Sequence, residues 1–175
     1  MNATLKTKLK KIRLLVMDAD GVLTDGKIVV DARGKELKFF DVQDGFGLVL
    51  LRQAGVKTAI LSARSSPALT ARAEDLKIDK ICQDAYPKIT AYEGLVRDLN
   101  CTDDQVCFMG DDLPDLPVLK RVGVAVAVPN AVREVKKAAQ YITAQRGGAG
   151  AVREVVELIL SAQGKWKNII AKTGQ

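Results

Sequence analysis

Short apolar runs that stop abruptly at acids or hydroxyls set the pattern of this chain. Leu14-Leu15-Val16-Met17 runs straight into Asp18-Ala19-Asp20-Gly21, and Val106-Cys107-Phe108-Met109 into Gly110-Asp111-Asp112. Runs so short, without strict period-two alternation, suit strands buried on both faces of a parallel sheet. Residues 56–61, ending at Ser62, read as another strand, as do 80–82, 122–127 and 141–142. Open α/β sheets bind their ligands beyond the carboxyl ends of the strands, which is where these acids emerge.

Helical patterning fills the intervals. A basic helix is expected over 4–12, and another over 45–54, with Phe46, Val49 and Leu50 on one face and Gly55 as its stop. Ser66-Pro67 supplies an N-cap and an N1 proline for a helix to about Asp75. Further helices are expected over 89–99, with Tyr92, Leu95 and Val96 inward, over 114–120, over 131–138 behind an Asn130 cap, and over 151–161. Thr102-Asp103-Asp104-Gln105 reads as a capping box on a single turn. Strand and helix in alternation predict an α/β fold, a doubly wound parallel sheet with right-handed crossovers. One interruption departs from that plan: Lys27-Ile28-Val29-Val30-Asp31 and Glu36-Leu37-Lys38-Phe39-Phe40 flank a short Gly34-containing turn and predict a protruding β-hairpin. Its apolar side chains are not needed for the core, and such strands are a liability unless another subunit covers them. No linker, repeat or low-complexity stretch divides the chain, so residues 1–175 are expected to form one domain.

Composition narrows the chemistry. Histidine is absent from all 175 residues. That removes phosphohistidine phosphatases, Ser-His-Asp hydrolases and His-liganded zinc enzymes together. Any metal must sit on oxygens, which favours Mg²⁺. Cys82, Cys101 and Cys107 are an odd set with no C-x-x-C, and read as partly buried thiols. The net charge is +6, but apart from Lys6-Thr7-Lys8-Leu9-Lys10-Lys11 the basic residues are scattered, and aromatics make up only 5%. Attraction for small anionic substrates fits this better than nucleic-acid binding. No apolar run approaches membrane-spanning length, and residues 4–13 are too polar for a secretory leader. A cytoplasmic protein with no membrane or nucleic-acid partner is expected.

Asp18 and Asp20 point to opposite sides of an extended chain, and the Gly and Thr that follow can bend it so that both face one ligand. A bare D-x-D reads equally as two solvated turn acids. Burying the pair at a strand end is costly unless a cation satisfies it, which suggests a nucleophile and a general acid/base around Mg²⁺. Asp111, Asp112 and Asp115 make a second acidic corner at the same edge. The two corners repel unless a cation lies between them, although acids also favour the first turn of any helix. Ser62, with the amides of its turn, could hold a phosphate oxygen, but alone it reads as a helix-entry serine. Arg64 could grip a phosphate or carboxylate, or simply be solvated. Lys88 opens a helix, where an ammonium opposes the macrodipole, a mismatch that is tolerable if it pairs with carboxylates and a transferring phosphoryl group. Gly147-Gly148-x-Gly150 is no P-loop, since no Gly-Lys-Ser/Thr follows, and reads as a flexible closing loop or a plain one.

The order Asp18-x-Asp20-Gly21, Ser62, Lys88, Gly110-Asp111-Asp112-x-x-Asp115 resembles the haloacid dehalogenase superfamily of phosphohydrolases, and the likeness spans nearly the whole chain. The stretches 20–26, 38–45 and 147–154 narrow it to the capless branch that acts on phosphates of keto-deoxy sugar acids. The resemblance implies that Asp18 attacks the phosphoryl group to form an aspartyl-phosphate. It implies that Asp20 protonates the leaving sugar oxygen and then activates water, with its backbone carbonyl on Mg²⁺. Asp18 and Asp111 would complete the protein's metal ligands. Ser62, Arg64 and Lys88 would bind the substrate, Lys88 would also orient Asp18, and Asp112 and Asp115 would support the metal's waters or Lys88. Many relatives read Thr-Gly-Arg where this chain has Ser62-Ala63-Arg64, so the hydroxyl is kept and a glycine is not.

Residues 27–61 and 63–87 leave no room for the cap domain that many superfamily members carry. Water must still be restrained around an aspartyl-phosphate. A neighbouring subunit is therefore expected to close the site with its hairpin and the chain from Gly147 onward, in the homotetramer that the resemblance implies. The expected substrate is an eight-carbon keto-deoxy sugar acid phosphate, with a nine-carbon analogue as the alternative. A phospho-receiver signalling domain uses similar residues, but its lysine comes last, whereas here Gly110-Asp111-Asp112 follows Lys88.

Overall fold

The structure, a computed structural model, describes residues 3–173. The chain runs through α1 (Ala3–Lys10), β1 (Leu14–Met17), the hairpin strands β2 (Val29–Val30) and β3 (Glu36–Leu37), α2 (Val42–Gln53), β4 (Lys57–Leu61), α3 (Pro67–Asp75) and β5 (Lys80–Cys82). It continues through α4 (Lys88–Asp98), β6 (Val106–Gly110), α5 (Leu116–Leu119), β7 (Val124–Ala127), α6 (Arg133–Ala138), β8 (Tyr141–Ile142), α7 (Ala151–Ala162) and α8 (Trp166–Thr173). Six strands form one parallel sheet in the order β5-β4-β1-β6-β7-β8. β1 is central, and all four of its residues are buried, which is why its sequence is unbroken apolar. From β1 the chain builds outward to β4 and β5, then returns to β1's other side for β6, β7 and β8. The reversal opens a crevice between the carboxyl ends of β1 and β6. Asp18 and Asp111 follow those two ends.

The helices make two packed groups. α1 and α2 lie against α7, while α4, α5 and α6 contact one another in turn. α7 buries Val152, Val155, Val156, Ile159 and Leu160, the apolar stripe of a helix turned to a core.

Several local expectations need correction. α2 starts at Val42, before the expected position, because Asp41 caps it, accepting from the amides of Gln43 (2.7 Å) and Asp44 (3.0 Å). Its buried apolar side chains are Leu48, Leu50 and Leu51, and Phe46 is 48% exposed. Gly47 lets the backbones of α2 and α7 approach, since a Cβ there would lie 3.3 Å from the Arg153 Cα. Asp44, buried on α2, accepts from the amides of Gly150 (3.3 Å) and Arg153 (2.8 Å), so one helix caps the start of another. Burial pushes its carboxyl up to about 6, against the pull of those amides. Asn130 does not cap α6, which begins at Arg133 behind Val132. The hairpin is ladder-paired at only Val29↔Leu37 and Val30↔Glu36. α8 was not expected at all. The three thiols are free, with Cys107 buried in β6. Among the described residues no helix is long and apolar enough to cross a membrane.

Candidate active site

The site assembles where three parallel strands end and one helix begins. The Asp18 amide donates to the Met109 carbonyl at 2.9 Å, so the β1–β6 pairing continues past the strand and brings the two acidic corners side by side. Beyond Asp18 the chain winds through 19–23, with Gly21 at φ +95°. A Cβ on Gly21 would lie 2.1 Å from Asp111 Oδ2, so both the conformation and the close approach require glycine. Ser62 follows β4 and is buried, its Oγ accepting from the Arg64 amide at 3.2 Å. Lys88, the first residue of α4, is buried and donates to Asp18 Oδ1 (2.5 Å) and Asp115 Oδ1 (2.6 Å). Asp18, Asp20, Ser62, Arg64, Lys88, Asp111, Asp112 and Asp115, every site residue expected from the sequence, line one cleft of ≈ 300 Å³.

Charge in this cleft is unbalanced. Asp18, Asp111 and Asp115 each bring a carboxylate oxygen within 4.8 Å of the others, yet only Lys88 stands among them. Burial raises the Asp18 carboxyl above the usual range even though the Lys88 charge opposes it. Asp111 is raised too, first by burial and then by the charges of Asp18 and Asp115. Asp115 is fully engaged, because its Oδ2 accepts from the amides of Asp111 (2.8 Å) and Asp112 (3.2 Å) while Oδ1 takes Lys88. Asp111 Oδ1, by contrast, is buried with no hydrogen-bond partner. A lone buried carboxylate oxygen beside a second carboxylate is a donor set for a hard divalent cation. Asp112 sits exposed at the rim and caps the turn at 113–115.

The Asp20 carboxylate lies outside the cluster of Asp18, Asp111 and Asp115, in keeping with a metal contact expected of its backbone carbonyl alone: its side chain turns to Lys38, which donates to Oδ1, and its Oδ2 lies 4.0 Å from Arg64 Nε. The hairpin thus reaches over its own chain's site. Glu36 joins both cations, at 3.2 Å from Lys38 and 3.1 Å from Arg64. Lys38 and Glu36 were missed from sequence, although period-two spacing puts Glu36, Lys38 and Phe40 on one face and Leu37 and Phe39 on the other.

The chain from Gly147 is no free flap. The Gly147 amide donates to Asn130 Oδ1 (2.9 Å), Asn130 Nδ2 donates to the Gly21 carbonyl (2.8 Å), and the Gly148 amide donates to the Val22 carbonyl (2.9 Å). Residues 147–148 are therefore pinned behind the turn that carries Asp20, and α7 beyond them lies in the core of its own chain. A Cβ on Gly147 would fall 1.7 Å from the Gly21 carbonyl oxygen. Gly147→Ala is expected to destabilise the fold by about 2–3 kcal/mol and to lower activity by shifting that turn, as checked by urea unfolding and turnover.

A doubly wound sheet with paired acidic corners at its switch point defines a class, and comparison with known proteins agrees. The family model of haloacid dehalogenase-like hydrolases matches residues 77–155, and the chain belongs to that family. Within it, the 3-deoxy-D-manno-octulosonate 8-phosphate phosphatase of Yersinia pestis is 44% identical over 154 residues, 88% of this chain and 82% of that one. The solved phosphatase of the same name from Moraxella catarrhalis, in complex with magnesium ion, phosphate ion and KDO, superposes with a TM-score of 0.94 at 43% identity, covering 97% of both chains. The cobalt-bound enzyme from Haemophilus influenzae gives a TM-score of 0.91 at 39% identity, over 95% of this chain and 98% of that one.

Proposed function

We propose that this chain is a Mg²⁺-dependent phosphatase that hydrolyses 3-deoxy-D-manno-octulosonate 8-phosphate to the free sugar acid and phosphate. The observation that carries the reading is the buried, unpartnered Asp111 Oδ1 next to Asp18. The Moraxella catarrhalis relative, bound to magnesium, phosphate and KDO, supports both the metal and the sugar.

In this reading Asp18, the Asp20 backbone carbonyl and Asp111 hold the cation, which neutralises charge on the phosphoryl oxygens. Lys88 fixes Asp18 through Oδ1, and the other Asp18 oxygen attacks phosphorus. The bond to the sugar oxygen breaks as Asp20 gives that oxygen its proton. Asp18 then carries the phosphoryl group as an acyl phosphate, so one hard displacement becomes two easier ones. Asp20, now a carboxylate, takes a proton from the water that attacks phosphorus and frees Asp18. Ser62 and Lys88 hold the phosphoryl oxygens throughout, and the work is positioning and charge neutralisation. Arg64, half exposed at the rim, meets the substrate, and Asp112 and Asp115 hold the second corner in shape.

The whole chain acts as one capless domain, in the cytoplasm, as a homotetramer. Ile28 (46%), Val30 (55%), Leu37 (43%), Phe39 (72%), Val42 (80%) and Phe46 (48%) leave apolar side chains exposed on both faces of the hairpin, where Val30 pairs with Glu36 and Val29 with Leu37, and on α2, and neighbouring copies would cover them. Phosphate release from a panel of eight- and nine-carbon keto-deoxy sugar phosphates tests the function. The eight-carbon ester is expected to be cleaved fastest, and chelation of divalent cations to abolish turnover. Equal rates across the panel, or turnover that survives chelation, would defeat this assignment.

A further inference from the structure

The hairpin carries a charged group that the core does not require. Lys38 directly follows β3, between Leu37 and Phe39, which are 43% and 72% exposed, yet its own side chain is only 2% exposed. Burying an ammonium is costly unless it is paired. Its partners are Asp20 and Glu36, and Glu36 also binds Arg64. Lys38 thus holds Asp20 by Oδ1, while Arg64 Nε stands 4.0 Å from Oδ2, too far for a hydrogen bond, which leaves Oδ2 as the oxygen to carry a transferable proton. Glu36 ties the two cations together. Lys88 holds Asp18, and the second-corner amides hold Asp115, but among the described residues the Asp20 side chain is met by Lys38 and Arg64, neither of them on a strand of the sheet.

We propose that Lys38 is a positioning residue that aims the Asp20 carboxyl at the leaving-group oxygen, with Glu36 as its tether. This rests on the role given to Asp20 under the proposed function. The hairpin then has a duty inside its own chain besides any contact with another copy. Aim matters because proton transfer by a placed carboxyl contributes on the order of 10²–10⁴-fold, and only when the leaving group needs the proton. An alkoxide leaves poorly unprotonated, whereas p-nitrophenolate leaves well.

The test is the dependence of kcat/KM on the leaving group, measured with full-length protein and Mg²⁺ on substituted phenyl phosphates and an alkyl phosphate. The wild-type rate is expected to vary little along the series. Lys38→Met is expected to lose about 10²-fold on the alkyl ester and less than about threefold on p-nitrophenyl phosphate. Asp20→Asn gives the benchmark slope. Glu36→Gln, which keeps the ammonium but frees it, steepens the slope in the same direction by less, and reads the effect should Lys38→Met fold poorly. A loss in Lys38→Met that is uniform along the series, or no loss, overturns the proposal. A flat slope in Asp20→Asn overturns it too, by removing the acid that Lys38 is said to aim. The series contains no sugar, so a wrong substrate assignment shows separately, as wild-type protein that leaves the sugar phosphate intact.

Discussion

Asp18→Asn is expected to lower phosphate release by on the order of 10⁴-fold or more while leaving the fold at least as stable as the parent. The amide is nearly isosteric but offers no anionic oxygen to attack phosphorus. Stability should not suffer, because the carboxyl it replaces is buried, raised above its usual range and crowded by Asp111 and Asp115. Lys88 keeps Asp115 as its partner at 2.6 Å. Phosphate release and urea unfolding, run on the same preparation, check both halves. Substantial turnover in the variant would remove Asp18 as nucleophile.

Lys88→Met is expected to cost both activity and about 3–5 kcal/mol of stability at neutral pH without added metal, since it strips the counter-charge from two buried carboxylates. Burial works against the Lys88 ammonium, but Asp18 and Asp115 more than offset it and hold it above its ordinary value, so it is charged in the folded wild type. The sign of the pH dependence follows. Asp18 is already raised with Lys88 present and rises further without it. Between the unfolded and folded values the folded variant holds a proton that the unfolded chain has lost, so acidification favours the folded form. The deficit relative to wild type should shrink as the pH is lowered from 8 toward 5. Paired unfolding curves across that range in chelator would show it. A deficit that is constant or grows on acidification would mean that packing, and not charge, is what Lys88 supplies.

Much of this was legible in the chain because the deepest strands carry the plainest signal. β1 and β6 are buried along their whole length, so their apolar runs and terminal acids could hardly be read otherwise. All eight expected site residues line one cleft for the same reason: each follows or opens an element that the sheet holds fixed. Illegible parts depend on contacts between distant segments. Phe46 looked like a core residue by helical period, but α2 makes its close approaches elsewhere, at Gly45 against Arg72 and Leu76 and at Gly47 against Arg153 of α7. Asn130 looked like a helix cap, because the pattern could not show that Gly21 and Gly147 would lie within its reach. Lys38 looked like a polar residue of an exposed strand, and only the fold of the hairpin turns it inward to Asp20.

The Asn130 bracket has a consequence for how the protein comes into being. It joins the turn after the first sheet strand to a glycine made much later, and both acidic corners are complete before that glycine is added. A nascent polypeptide still on the ribosome, not yet extended to Gly147, would carry every acid of the cleft without the backing that sets their angle. Catalytic competence should therefore arrive late and abruptly during synthesis, when the segment from Gly147 onward docks behind the turn that follows β1.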